Sequence, residues 1–125
     1  MDAELKKALL RCETDLDGAL YRFGDDEELY IRCLKAFLND PTLIELDQAI
    51  SSESWDEAFT AAHALKGVAG NMGFIPLFHA VAELVVLIRK GRVKEVGRSF
   101  TELTDCYSDI TDVIRQYCAM GGTNA

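Results

Sequence analysis

Residues 54–91 read SWDEAFTAAHALKGVAGNMGFIPLFHAVAELVVLIRKG. Ser54, with Glu57 three positions on, has the spacing of a capping box, in which hydroxyl and carboxylate pair two amides that a helix N-terminus leaves over. The helix it opens is expected to run to about Gly70. Asn71-Met72-Gly73 predicts a tight connection, and Pro76 falls in the first turn of the next helix, where its missing N–H does no harm. This second arm carries Leu77, Ala80, Val81, Leu84, Leu87 and Ile88 on one face and closes at Gly91. Two apolar-faced helices joined by so short a turn form an antiparallel hairpin, which needs further helices to cover it.

The flanking sequence supplies them. Downstream, Val96, Phe100, Leu103, Tyr107, Ile110, Val113, Ile114 and Tyr117 mark a last helix from about Arg92, followed by a tail at Gly121-Gly122 expected to be flexible over 121–125. Upstream, Leu43, Leu46 and Ile50 mark a helix between the break at Asn39-Asp40-Pro41 and the turn at Ser51-Ser52. Another opens at Asp25-Asp26-Glu27-Glu28, acids at the positive end of the helix dipole, and carries Leu29, Cys33, Leu34, Phe37 and Leu38. A first helix over Asp2 to Arg11 and a turn of helix through Leu16, Leu20 and Phe23 to Gly24 lie before it. Only two prolines and no sustained period-two pattern leave no case for a sheet. The expected fold is all-α: an antiparallel four-helix bundle, up-down-up-down, with an additional N-terminal helix and helical turn as a lid.

The chain has 125 residues, 49% of them apolar, which suits one core and hence one domain over 1–125. Its formal charge of −8 opposes binding to nucleic acid or to an anionic membrane surface. No apolar stretch is long enough for a secretory signal or a membrane span, so a cytoplasmic location is expected. Cysteines 12, 33, 106 and 118 share no metal-ligand spacing and predict buried, reduced thiols, with no metal site.

Two histidines carry what chemistry there is. On a wheel of ~100° per residue, Ala58, Ala61, Leu65, Val68 and Met72 fall within about 40° of the side opposite His63. Asp56, Phe59, Thr60, Lys66, Gly67 and Gly70 fall within about 60° of it. A lone histidine is ordinarily a hydrogen-bonded structural residue, but that requires burial, and this wheel turns His63 to solvent. Gly67 and Gly70 follow on the same face, each costing about 1 kcal/mol relative to alanine inside a helix. Two absent side chains give a bulky partner access to the ring, and Lys66 places an ammonium nearby. A neutral nitrogen, clear in-line access and a cation are what a phosphoryl acceptor needs. His79 shares its face with Glu83, which offers half a metal site or simply an exposed pair; with no Glu-x-x-His motif beside either histidine, it reads as an exposed pair. Trp55 reads as packing, Phe59 as core or docking surface, and Asn71 as a cap of the preceding helix or a phosphoryl contact.

The run Ala62-His63-Ala64-Leu65-Lys66-Gly67-Val68-Ala69-Gly70-Asn71-Met72-Gly73 closely resembles the His-x-Leu-Lys-Gly segment of histidine-containing phosphotransfer (HPt) domains. Residues 16–30, with Leu34 and Phe37, resemble the family's entry segment, and Leu77 and Leu84 its leucines after the histidine. The resemblance covers about residues 14–90, and Val85 departs from the acidic residue many members carry there. It implies that His63 is the phospho-acceptor, through Nε2, that Lys66 is the cation beside the phosphoryl group, and that Gly67 gives steric access. Phe59, Thr60 and Gly70 then belong to a receiver-docking face.

The implied function is that of a carrier in a multistep phosphorelay. A receiver domain's phospho-aspartate would charge His63, and a second receiver would discharge it. The partners are response-regulator receivers and a hybrid sensor histidine kinase, with Mg²⁺ supplied at the receiver and no cofactor of the chain's own. The chain has no Gly-rich nucleotide loop, so no kinase or ATPase activity is expected. It should act as a monomer, and its opening Met1 fits a stand-alone protein. The alternative is a non-catalytic helical adapter that binds a receiver or kinase through the same face without phosphorylation.

Overall fold

The computed structural model describes residues 1–119; the expected tail at 121–125 lies outside them. Seven α-helices and no strand occur among the described residues: α1 (Ala3–Arg11), α2 (Leu16–Arg22), α3 (Glu27–Phe37), α4 (Thr42–Ser51), α5 (Trp55–Met72), α6 (Ile75–Arg89) and α7 (Val96–Ala119). Helices α4 to α7 each pack on the next, and α5 and α6 form the expected hairpin. The N-terminal helices lie over this bundle, α1 and α3 against α7 and α2 against α5. The chain is therefore an all-α helical bundle, and one continuous apolar core draws buried residues from every helix. None of the helices is long and apolar enough to cross a membrane.

Aspartates start the N-terminal helices. Asp2, Asp15 and Asp26 each accept hydrogen bonds from amides in the first turn, of α1, α2 and α3 respectively. The capping box expected at Ser54 does not form. Ser54 is the N-cap of α5, but its side chain makes no capping bond. Its own amide donates to the Ala49 carbonyl at 2.8 Å, closing α4, so the donor that Glu57 would have paired is already used.

Helix α5 ends two residues later than expected, at Met72 instead of about Gly70. Helix α5 continues through Asn71 and Met72, and Gly73 ends it in the left-handed region with φ 78°. Only glycine suits this position, since a Cβ there would lie 2.5 Å from the Asp15 carbonyl oxygen. The Gly73 carbonyl accepts from the Asp15 amide at 2.8 Å, tying the start of α2 to the hairpin turn. Neighbouring groups take up the last carbonyls of α5. Tyr30 of α3, fully buried, donates its hydroxyl to the Met72 carbonyl at 2.8 Å. Arg22 of α2 donates to the carbonyls of Gly70, at 2.8 Å, and Asn71, at 3.2 Å. Asn71 is thus an exposed residue inside the last turn of α5 and not its cap.

Smaller departures have similar tertiary causes. The last helix begins at Val96, behind a 3₁₀ turn over Val93–Glu95, instead of near Arg92, whose side chain pairs with Glu95. On α6 the buried face includes Val85, while Ala80 is half-buried. The four cysteines are half-buried at the margins of the core instead of within it. Burial, reinforced by the Asp109 carboxylate, pushes the Cys12 and Cys106 thiols up from their ordinary pKa.

Candidate functional site

Helix α5 presents two opposite faces. Ala58, Ala62, Leu65, Ala69 and Met72 are buried, while Ala61 and Val68 are half-buried. The core-facing line is therefore rotated by about 40° from the one the wheel predicts. His63 is exposed on either reading. Its ring stacks on half-buried Phe59, one turn earlier, with centroids 6.0 Å apart and planes at 8°. One turn later, a Cβ built on Gly67 would meet nothing within 4 Å. The imidazole thus has an aromatic neighbour on one side and open space on the other. That asymmetry leaves room for a reacting group beyond the ring on the C-terminal side of α5.

Lys66 departs from the simple picture. It is half-buried, and its Nζ lies 5.7 Å from the centroid of the Phe78 ring on α6, a cation–π contact. Phe78 also covers Gly70, where a Cβ would stand 3.3 Å from both Cδ1 and Cε1 of the ring. So the two glycines differ. Gly67 is open and Gly70 is half-covered by a neighbouring side chain.

Thr60 donates its hydroxyl to the Asp56 carbonyl at 3.1 Å. It lines a groove of about 700 Å³ between α4 and α5, together with Ala61 and Ala64 and the acidic residues Glu45, Asp56 and Glu57. Trp55 is half-buried and packs against the core, as expected. His79 and Glu83 are exposed and form no ion pair with each other. Phe78 and Arg22 are residues near the site that the sequence reading did not single out. Nothing in the α6 periodicity pairs Phe78 with Gly70, and no local pattern sends Arg22 to the end of α5, 48 residues away.

The model of the Hpt domain family matches residues 39–113, more than half of the chain, from just before α4 into the last third of α7. The chain belongs to the Hpt domain family. The match reaches beyond residue 90, where the sequence resemblance ended, and includes most of the last bundle helix; it does not include residues 14–38. Searches of curated proteins and of solved structures returned no match. Hpt domains are helical bundles that serve histidine phosphotransfer in phosphorelays, in contact with receiver domains and kinases. They are phosphoryl carriers and not kinases. In this Hpt domain the exposed face of α5 brings together His63, its Phe59 neighbour and the open Gly67 position.

Proposed function

We propose that this Hpt domain is a carrier in a multistep phosphorelay, with His63 as the acceptor. The observation that supports this most is His63 itself, a solvent-exposed imidazole in mid-helix with empty space above Gly67. The Nε2 lone pair attacks the phosphorus of a receiver's phospho-aspartate in line. The P–O bond to aspartate breaks, the carboxylate leaves with the electron pair, and the imidazole proton stays on Nδ1. Transfer to a second receiver reverses these steps. Mg²⁺ is supplied at the receiver, and the chain contributes no cofactor. Lys66 provides a cation within a side chain's reach of the added phosphoryl charge, and Gly67 leaves in-line access. Phe59, Thr60 and Gly70 line the receiver-docking face, Gly70 at the edge covered by Phe78. A hybrid sensor histidine kinase feeds the first receiver. The domain occupies residues 1–125 and works as a monomer in the cytoplasm, independent of nucleic acid and membranes.

The test is incubation of the chain with a phosphorylated receiver and Mg²⁺, followed by analysis of the bound phosphate. An acid-labile, base-stable phosphate on His63, lost on adding an unphosphorylated second receiver, is the expected result. Stable complex formation with receivers but no phosphate on the chain would make it an adapter instead.

A further inference from the structure

A lysine beside an acceptor histidine has two places to put its ammonium: against the phosphoryl group when there is one, and somewhere else when there is not. Here the second place is defined. Lys66 Nζ lies 5.7 Å from the centroid of the Phe78 ring. Phe78 comes that close to α5 because residue 70 has no side chain, as its ring carbons lie 3.3 Å from where a Cβ would be. Gly70 is one turn beyond Lys66 and about two turns beyond His63, so a ring seated against it lies on the C-terminal side of the imidazole along α5. Arg22, a second cation at this end of α5, is engaged by the Gly70 and Asn71 carbonyls. Lys66 is the nearer cation to His63 in sequence and shares its face.

Resting on the carrier reading above, we propose that Phe78 is a positioning residue: it holds Lys66 off His63 in the unphosphorylated domain and thereby sets how readily the phosphohistidine gives up its phosphoryl group. The reasoning is one of linkage. An interaction present in only one of two states shifts the equilibrium between them by its own free energy. If the ammonium must leave the Phe78 ring to meet the phosphoryl oxygens, the ring contact favours the unphosphorylated state. A cation–π contact at a solvated site amounts to a factor of about 2 to 5 in such an equilibrium. The phosphoryl group keeps the benefit of Lys66, but a smaller one, and so is more easily passed on. Gly70 belongs to the same device, since its missing Cβ admits the ring.

The experiment measures the equilibrium partition of phosphoryl between one receiver and the chain, in the presence of Mg²⁺, for the wild type, Phe78→Leu, Lys66→Ala and the double variant. Phe78→Leu is expected to shift the partition toward the chain by about 2- to 5-fold. Lys66→Ala shifts it toward the receiver, and in that background Phe78→Leu changes nothing further. Phe78→Met serves as a second ring-free variant should the leucine variant not fold. In the unphosphorylated wild type, the Lys66 εCH₂ protons should resonate upfield under the Phe78 ring current, and lose that shift in either ring-free variant. An equal effect of Phe78→Leu with and without Lys66 would mean that Phe78 acts through packing, and would overturn the proposal. So would a folded Phe78→Leu with an unchanged partition, or Lys66 protons with no upfield shift. Failure of the wild type to accept phosphoryl from any receiver would instead overturn the carrier reading, and the positioning role with it.

Discussion

Gly67→Ala and Gly70→Ala are the same chemical change three residues apart on one helix, and their surroundings call for different results. Each removes a glycine that costs about 1 kcal/mol relative to alanine in a helix interior. At position 67 a new Cβ meets nothing within 4 Å, so the gain of about 1 kcal/mol is undiminished. For a domain of this size that raises the melting temperature by about 3–5 °C. At position 70 the Cβ would stand 3.3 Å from two ring carbons of Phe78, which must shift between α5 and α6. Overpacking of this kind costs about 1–3 kcal/mol, enough to cancel or reverse the gain. Thermal melts followed by helical circular dichroism separate the two cases. Gly67→Gln extends the comparison to function: open space at 67 lets the fold tolerate it, yet its side chain enters the volume a phosphoryl donor must occupy. A displacement of about 1 Å there costs ~10²-fold in rate. Transfer should therefore fall in the order Gly, Ala, Gln while stability does not. A Gly67→Ala variant that melts below the wild type would show that this face is packed. A Gly67→Gln variant that transfers at the original rate would show that glycine is not there for access.

His63→Gln should fold with stability within about 0.5 kcal/mol of the wild type, because the side chain is exposed, and should accept no phosphate; His79→Gln should accept it fully. Phosphate analysis of both variants checks the assignment, and the reverse pattern would identify His79 as the acceptor. Tyr30→Phe leaves the Met72 carbonyl without the hydroxyl that meets it at 2.8 Å and should cost about 1–3 kcal/mol in urea unfolding. Burial, opposed in part by Arg22, holds the Tyr30 hydroxyl well above its ordinary pKa of 10.0. The native state thus favours the neutral phenol, a contribution fully present below pH 10 and lost as the pH rises above it. Wild-type stability should accordingly decline more steeply above pH 10 than that of Tyr30→Phe, and parallel declines would contradict the buried hydroxyl.

Much of this was legible in the sequence because it depends on local patterns. Apolar spacing of 3.6 residues, the break at Asn39-Asp40-Pro41 and Pro76 at a helix start are enough to place the helices and the α5–α6 hairpin, since each acts within a turn or two of chain. The exposure of His63 follows equally from periodicity: a residue opposite a line of apolar side chains points to solvent even if that line is misjudged by 40°. The motif around His63 carried the family before any coordinate did. What the sequence alone leaves open are the ends and the neighbours. Ser54 looks like half of a capping box, but its amide belongs to Ala49 of the preceding helix. Gly70 looks like the stop signal, yet the helix runs on to Met72 and turns at Gly73, where Asp15 leaves room for no Cβ and Tyr30 and Arg22 take up the last carbonyls of α5. Gly67 and Gly70 are alike in the sequence, two glycines on the His63 face of one helix. Only the packing of α6 on α5 puts Phe78 over one glycine, leaves the other open and gives the Lys66 ammonium a ring to rest on. Helical periodicity is a property of one segment and can be read along it. Which side chain fills the space beside a missing Cβ depends on two segments meeting, and that is decided when the bundle packs.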